Sequence, residues 1–332
     1  RELRDALEPS RVKLLRQFTS LSDGVKFLVD LRADLHDLAN GDPILRDLEG
    51  DLRELLSSWF DVGFLELRRI TWDAPAALLE KLAGYEAVHE MRGWQDLKAR
   101  LGGFGPGNRR CFAFLHPLMP GEPLIFVEVA LVREMAAAIG PLLDRATPAV
   151  KPEDAEAAIF YSISNCQRGL AGISFGNALI KRVVAELNAE LPNLRIFATL
   201  SPIPGFMRWL DGHTAEGEAP LRAMLSRRGW NRDPAVVEAL REPLMRLCAH
   251  YLLEERRNGD RVLDPVAHFH LSNGARVERL NWLGDISAKG LRESAGLMVN
   301  YLYKLDQIDA NHEAYAAEGR VIASSSIRGL LR

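Results

Sequence analysis

The chain contains 332 residues, a length that accommodates about two domains. Its hydrophobic content of 47% and charged content of 26% are ordinary for a globular protein, and the net charge of −3 gives no indication of a nucleic-acid partner. Uninterrupted apolar stretches are shorter than a membrane-spanning helix requires, so no membrane association is expected. The three cysteines (Cys111, Cys166 and Cys248) are odd in number and widely spaced, which argues against a disulfide framework or a metal site and favours a reducing compartment.

The first hundred residues carry leucine-rich stripes with spacings of three and four, the period of amphipathic helices. The clearest stripe consists of Leu45, Leu48, Leu52, Leu55 and Trp59. Asp42-Pro43 has the form of a helix start, with a capping carboxylate before proline. No stretch of this region alternates like a β-strand. We therefore predict an all-α helical domain over residues 1–104 that serves packing or oligomerisation.

The glycine-rich residues 101–107 interrupt the helical pattern and mark the predicted domain boundary. Short apolar and β-branched runs follow, so a second domain with strands is expected over residues 105–332. The predicted strands cover residues 111–115, 124–132, 158–163, 266–271, 276–283 and 296–303. Further helices are expected at residues 234–256 and 307–317. Asn273-Gly274 between two of these strands is typical of a hairpin turn. The predicted fold class is α+β with a mixed sheet.

A strand, a glycine-containing loop and a helix follow one another between residues 158 and 191. Gly169, Gly172 and Gly176 allow a close approach of the backbone to a ligand, and the start of the helix presents free N–H groups to an anion. The loop matches neither of the common nucleotide-binding glycine motifs. Residues 172–176 match G-x-S-x-G, the nucleophile turn of α/β-hydrolases, but no HGGG-type segment precedes them. We favour an anion-binding loop, with Lys181 and Arg182 either reaching a phosphate or solvated.

Three further segments carry candidate chemistry. His268 and His270 are two residues apart on a predicted strand, so both imidazoles are expected on one face. They are interpreted as two metal ligands, as one catalytic histidine with a bystander, or as two structural histidines. Ser201 precedes Pro202, which holds it in an extended conformation and gives its hydroxyl a fixed direction, although a plain structural serine in a turn explains it as well. Tyr301 and Tyr303 alternate on the last predicted strand and are expected to share a face. Core packing explains such tyrosines, and the alternative is that a hydroxyl, that of Tyr303, lines the site.

Several long segments of the chain resemble the malonyl-CoA decarboxylase family. They read AIFYSIS, GLAGISFGNALIKRVVAEL, LSPIPGF, PLMRLCAHYL, DPVAHFHLSNGA and GLMVNYLY. The resemblance implies an N-terminal helical domain followed by a catalytic domain of the acyl-CoA N-acetyltransferase type. It implies that a loop holds the pyrophosphate of coenzyme A, formed here by Ala171, Gly172, Ile173, Ser174, Phe175, Gly176 and Asn177. It also places the catalytic residues at Ser201 and His270 and assigns no role to His268.

The activity implied by this resemblance is conversion of malonyl-CoA to acetyl-CoA and CO2 through an enolate. The thioester accepts the electrons, so no cofactor and no metal are expected, and coenzyme A enters as part of the substrate. An acyl-CoA N-acetyltransferase, an acyl-CoA thioesterase and a non-enzymatic coenzyme A sensor are the alternatives. The resemblance further implies a homo-oligomer, expected to be a tetramer. A bacterial cytoplasm is the expected location, with organellar targeting left open because the sequence begins at Arg1.

Overall fold

The structure is a computed structural model that describes residues 9–39, 41–104, 107–173, 178–213, 219–257, 259 and 261–332. Its α-helices are α1 (Ser10–Arg16), α2 (Gly24–Leu38), α3 (Pro43–Trp59), α4 (Ala76–Tyr85), α5 (Trp94–Arg100), α6 (Gly140–Leu143), α7 (Ala178–Glu190), α8 (Phe206–Gly212), α9 (Ala219–Leu225), α10 (Pro234–Leu253), α11 (Pro265–Ser272), α12 (Ala288–Ser294), α13 (Ile308–Glu318) and α14 (Ser325–Gly329). Single 3-10 turns lie at Gln17–Ser20, Val62–Phe64, Pro152–Asp154, Arg168–Leu170 and Trp230–Arg232.

The strands are β1 (Glu66–Ile70), β2 (Arg109–Leu115), β3 (Ile125–Val132), β4 (Ala157–Asn165), β5 (Ile196–Thr199), β6 (Ser201–Pro202), β7 (Arg256–Arg257), β8 (Arg261–Val262), β9 (Arg276–Asn281) and β10 (Met298–Leu302). Within the described residues no helix combines the length and apolar character needed to cross a bilayer.

The chain divides into two compact units. The first consists of Arg1–Gly103, Arg110–Glu128 and Ser162–Ala178, and the second of Phe104–Arg109, Val129–Tyr161 and Leu179–Arg332. Each of the continuous strands β3 and β4 therefore contributes residues to both units. The boundary between residues 104 and 105 stays a prediction.

The first unit contains the helices predicted from the leucine stripes. Asp42 caps α3 by accepting a hydrogen bond from Ile44 N at 2.8 Å, as its position before proline indicated. Helices α1, α2 and α3 bury a shared apolar cluster made of Leu15, Leu28, Leu35, Leu52 and Leu55. This burial explains the helical periodicity, because one stripe of each helix faces the same cluster.

The expectation that the first hundred residues lack strands is wrong at β1. Glu66–Ile70 pairs antiparallel with β2, with Glu66 opposite Leu115 and Ile70 opposite Cys111. Only Ile70 is buried in this strand, and the sequence Glu-Leu-Arg-Arg-Ile is too polar to show an alternating apolar pattern. An end strand of this kind forms because a neighbouring strand offers hydrogen bonds, not because of its own sequence.

The second unit is built on a mixed sheet. Its strand order is β3-β4-β5-β10-β6, and β9 also pairs with β10. Strands β4 and β5 are parallel, with Ala157 opposite Ile196 and Phe160 opposite Thr199. Strand β10 runs antiparallel to β5, β6 and β9. The α+β class, the helical N-terminal region and the mixed sheet are thus confirmed, as are the strands predicted within residues 111–115, 124–132, 158–163, 276–283 and 296–303.

The strand predicted at residues 266–271 is wrong, because the segment forms α11. Asp264 caps this helix and Pro265 occupies its first turn, the same start signal that was recognised at Asp42-Pro43. Asn273-Gly274 ends the helix and forms no hairpin. Gly274 has a φ of +80°, its N–H donates to Leu271 O at 3.0 Å, and Ala275 N donates to His270 O at 3.1 Å. These two bonds form a Schellman motif, which requires a residue with positive φ just as a hairpin turn does.

Candidate active site

Ser201 and His270 lie side by side in the second unit. The Ser201 hydroxyl oxygen is 3.1 Å from Nε2 of His270, and both residues are buried. Ser201 is on β6, where it pairs with Val299 of β10, and His270 is on the last turns of α11. Sequence analysis assigned these two residues to one site from the resemblance alone, and the structure brings their side chains into hydrogen-bonding distance.

Thr199 supports the serine from two residues upstream. Because side chains two apart in an extended chain point the same way, Thr199 and Ser201 meet, and the Ser201 hydroxyl donates to Thr199 Oγ1 at 2.8 Å. Thr199 Oγ1 also accepts from Tyr301 N at 3.1 Å. Asn300 donates its side-chain amide to Thr199 O at 2.6 Å, which ties the end of β5 to β10. Sequence reasoning missed Thr199 and Asn300, although the two-residue spacing before Ser201 was readable.

Two tyrosines of the β10 segment contact the His270 ring. The Tyr303 hydroxyl is 2.8 Å from Nδ1 of His270, and the Tyr301 ring stacks on the imidazole with centroids 4.5 Å apart. Tyr303 N donates to Phe197 O at 2.8 Å and so continues the strand beyond Leu302. The expectation that Tyr301 and Tyr303 share a face agrees with these contacts, since both reach one ring.

The hydrogen bonds define the tautomer of His270. Complete burial lowers the pKa of His270 to about 3, so the imidazole is neutral near pH 7 and carries one N–H. Ser201 donates its proton to Thr199, so Nε2 of His270 is the donor toward Ser201, and Nδ1 accepts from the Tyr303 hydroxyl. The assignment follows from the network. The serine proton therefore points away from the histidine. On the other side of the imidazole, Nδ1 binds the neutral Tyr303 hydroxyl, whereas in a Ser-His-Asp triad it binds a carboxylate.

His268 does not share the environment of His270. On a helix, residues two apart point in directions about 200° apart, so the expectation of a common face fails together with the predicted strand. His268 Nδ1 lies 2.8 Å from the Tyr315 hydroxyl and 3.5 Å from the Ser272 hydroxyl. In the described part of the chain, no three His, Cys, Asp or Glu side chains are grouped as a metal site requires.

The predicted coenzyme A loop is described only in part. Ala171 and Gly172 are exposed, Ile173 is buried, and Gly172 has a φ of +74°, which favours glycine. Ser174, Phe175, Gly176 and Asn177 lie outside the described residues, so the proposed roles of this loop, including the G-x-S-x-G alternative, stay predictions. At the helix that follows, Lys181 Nζ forms an exposed ion pair with Asp309 at 2.8 Å.

A buried arginine holds the segment that leads into this loop. Arg32 of α2 donates to Gly169 O at 2.6 Å and to Ala171 O at 3.0 Å. Its guanidinium also pairs with Glu49 of α3, at 2.8 Å from Nη2. Gly169 is required here, since a Cβ would lie 1.7 Å from Val29 O. The glycine was predicted from the sequence, but Arg32 was not. Its position as a charged residue on an apolar helix face was the signal that could have indicated it.

Comparisons with known proteins give the chain a family. Residues 63–332 match the family model of the malonyl-CoA decarboxylase C-terminal domain, and residues 1–60 match that of its N-terminal domain. The mitochondrial malonyl-CoA decarboxylase of Anser anser anser is 40% identical over 97% of this chain and 69% of its own length. That of Rattus norvegicus is 40% identical over 99% of this chain and 72% of its own length.

Solved structures agree with these sequence matches. The crystal structure of malonyl-CoA decarboxylase from Rhodopseudomonas palustris has a TM-score of 0.92 and 47% identity, covering 99% of this chain and 81% of its own. The one from Agrobacterium vitis has a TM-score of 0.92 and 46% identity, covering 99% and 82%. Both domains, the length of the match and the level of identity lead to one conclusion: the chain belongs to the malonyl-CoA decarboxylase family.

Proposed function

We propose that this protein is a carboxy-lyase that converts malonyl-CoA to acetyl-CoA and CO2, with Ser201 and His270 as its catalytic residues. The observation that carries the proposal is the contact between Ser201 Oγ and His270 Nε2 within a chain of this family. The two groups differ in function. A hydroxyl is suited to hold a carboxylate, and an imidazole is suited to move a proton.

The reaction consumes one proton, and His270 supplies it. In the resting protein the imidazole is neutral, because burial lowers its pKa. A substrate carboxylate beside Nε2 favours the charged imidazolium, so His270 takes up a proton as the anionic substrate binds. The Tyr303 hydroxyl suits both states, since it donates to Nδ1 of the imidazole and accepts from Nδ1–H of the imidazolium.

Decarboxylation then proceeds without a covalent intermediate on the protein. When the substrate binds, the Ser201 hydroxyl rotates away from Thr199 and donates to the leaving carboxylate. It holds this carboxylate perpendicular to the thioester plane, where the breaking C–C bond overlaps the carbonyl π system. The bond breaks, CO2 leaves, and the electron pair forms an enolate on the thioester. The enolate carbon takes the proton from His270 Nε2, which returns the imidazole to its neutral form. The thioester itself accepts the electron pair, so this scheme uses no cofactor.

The adenosine-diphosphate arm of the substrate supplies binding energy away from the reacting carbons. We assign it to residues 171–177, whose backbone N–H groups precede α7 and suit an anion. The support for this assignment is the sequence of the loop, its position before a helix of 13 residues and the positive φ of Gly172.

The geometry at Ser201 favours decarboxylation over thioester hydrolysis. A nucleophilic serine donates its proton to the histidine, and a carboxylate holds the far side of the imidazole. Here Ser201 donates to Thr199, and a tyrosine hydroxyl binds Nδ1 of His270. Nothing in these contacts favours acetyl transfer or hydrolysis, so both enter only as outcomes of the experiment.

The test is to incubate the purified protein with malonyl-CoA alone and to identify the products by mass spectrometry. The proposal expects acetyl-CoA and CO2 in equal amounts with no amine acceptor present. Free coenzyme A with malonate identifies a thioesterase instead. A substrate that stays intact until an amine is added identifies an acyltransferase. Binding without turnover in either assay identifies a coenzyme A sensor.

A further inference from the structure

Asp264 is a fully buried carboxylate at the start of the helix that carries His270. Its Oδ1 accepts from Ala267 N at 2.8 Å, and the Val266 N–H also favours the charged carboxylate, which opposes the rise that burial causes in the pKa of Asp264. The bond from Ala267 caps α11 and satisfies an N–H group that has no partner inside the helix. One side of this carboxylate therefore determines where the helix begins, six residues before His270.

The same carboxylate holds the turn that follows Ser201. Gly205 closes the Ser-Pro-Ile-Pro-Gly turn that begins at the catalytic serine, and a Cβ on it would lie 3.7 Å from Asp264 Oδ2. Its backbone N–H favours the charged carboxylate and so also opposes the rise that burial causes in the pKa of Asp264. The Tyr251 hydroxyl of α10 donates to Asp264 Oδ2 at 3.3 Å. Gly205 lies so close to this pair that a Cβ on it would be 2.2 Å from the Tyr251 oxygen. The turn thus has little freedom to move relative to Asp264.

We propose that Asp264 is a positioning residue that sets the placement of Ser201 relative to His270, because its one carboxylate holds both the turn after the serine and the helix under the histidine. The inference rests on the proposed function, in which these two side chains act on one substrate. It concerns a residue that does not itself touch the reacting atoms.

Comparison with the other capped helices supports a role beyond capping. Asp42 and Asp233 also cap helices with proline in the first turn, and both are exposed. An exposed carboxylate is sufficient to start a helix, and burial of Asp264 is costly, since it raises the pKa of this residue to about 6. The burial is explained if the carboxylate is needed between the turn that follows Ser201 and the helix α11 that carries His270.

The groups on which the Asp264 charge acts lie on two elements, α10 and β10. Tyr251 and Cys248 lie on α10, and Tyr301 lies on β10; burial raises the pKa of each, so all three are neutral near pH 7. Arg208 of α8 acts on Tyr251 from the same region. The carboxylate is therefore held by hydrogen-bond donors, and protonation would replace one acceptor site with a donor.

The experiment compares Asp264→Asn with the matched control Asp233→Asn in the malonyl-CoA assay. The asparagine retains the volume and the cap to Ala267, but its NH2 group faces the donors of Gly205 and Tyr251. We expect kcat to fall by about 10- to 100-fold with KM changed less than about threefold, as for a misplaced catalytic pair. Asp233→Asn is expected to change neither constant.

A second variant tests the pH dependence of kcat, which would not change if Asp264 only stabilised the fold. Tyr251→Phe removes one donor from the carboxylate, which raises the pKa of Asp264 further. The acid limb of the kcat profile is expected to move to higher pH by about half a unit to one unit, with the wild-type rate regained in alkaline buffer.

The outcomes are distinct. An inactive wild type overturns the proposed function and this inference with it. An active wild type with Asp264→Asn within about twofold in kcat overturns the inference alone. Should Asp264→Asn fail to fold, the profile of Tyr251→Phe decides, and an unmoved acid limb rejects the positioning role.

Discussion

The hydroxyl of Tyr303 lies 2.8 Å from Nδ1 of His270. An equivalent pair exists nearby on the same helix, where the Tyr315 hydroxyl lies 2.8 Å from Nδ1 of His268. The two pairs match in chemistry and distance, but only His270 contacts Ser201. They therefore provide a comparison in which the same hydrogen bond is removed inside and outside the proposed site.

Tyr303→Phe is expected to lower kcat by about 10- to 100-fold, because His270 loses the group that orients the ring and stabilises its charged form. Tyr315→Phe removes an equivalent hydroxyl and is expected to leave kcat unchanged. Steady-state acetyl-CoA formation by both variants checks this. Equal activity of the two would contradict a role for the Tyr303 hydroxyl.

Removal of the Ser201 hydroxyl is expected to affect the chemical step. Ser201→Ala should lower kcat by about 100-fold, the effect typical of losing one oriented donor in a preorganised site. Ser226→Ala is the control, since its exposed hydroxyl only donates to Ala223 O. If the Ser201→Ala protein folds and retains the wild-type kcat, the proposal that Ser201 holds the leaving carboxylate of the substrate is rejected.

Thr199 is expected to contribute to stability as well as to activity. Thr199→Val conserves the shape but leaves the donors of Ser201 and Tyr301 N without their acceptor. Unpaired buried donors of this kind cost about 1–3 kcal/mol each, so urea denaturation should show a loss of that order. A variant as stable as the wild type would mean that both donors find other acceptors.

Asp264 and His270 should make the stability depend on pH in opposite directions. Burial raises the pKa of Asp264 from 3.8 to about 6, so its contribution is fully present below pH 3.8 and is lost as the pH rises through 6. Burial lowers the pKa of His270 from 6.5 to about 3, so its contribution is present above pH 6.5 and is lost as the pH falls toward 3. At about 1.4 kcal/mol per pKa unit, the two effects amount to about 3 and about 5 kcal/mol.

In the wild type, the effects of Asp264 and His270 on the pH dependence of the unfolding free energy largely cancel. Substituting one residue at a time separates them. Across pH 4–6.5, Asp264→Asn should gain more unfolding free energy with rising pH than the wild type does. His270→Gln should instead lose unfolding free energy over the same range. Denaturant titrations at several pH values measure both slopes, and equal slopes in all three proteins would show that neither group is buried as described.

Arg32 is expected to stabilise the first unit through the segment before the predicted coenzyme A loop. Arg32→Met leaves the carbonyls of Gly169 and Ala171 without this donor and removes the guanidinium from the partly exposed Glu49. Unpaired buried acceptors cost about 1–3 kcal/mol each, so a loss of that order is expected in urea denaturation. Because the segment leads into residues 171–177, KM for malonyl-CoA should rise more than kcat falls. The control is Arg168→Met, which breaks an exposed pair with Asp37 and should change little.

Much of the fold was readable from the sequence because its signals are local. Leucines at helical spacing, β-branched runs and Asp-Pro starts depend on residues a few positions apart, and these elements formed as predicted. The errors occurred where a local signal has two meanings. Asn-Gly suits a hairpin and a helix end alike, since both need a positive φ, and the segment 266–271 is apolar enough for either a strand or a helix.

The amino-acid sequence by itself determined the family, the α+β class and the identity of Ser201 and His270 as residues of interest, because long ordered motifs are carried by the order of residues. Tertiary structure alone decided what surrounds them. Thr199 and Tyr303 bind the pair directly although 104 positions separate them in the chain. Tyr251 binds Asp264, which caps the helix that carries His270. Burial of this cluster also sets the charge of His270, which composition and spacing do not contain.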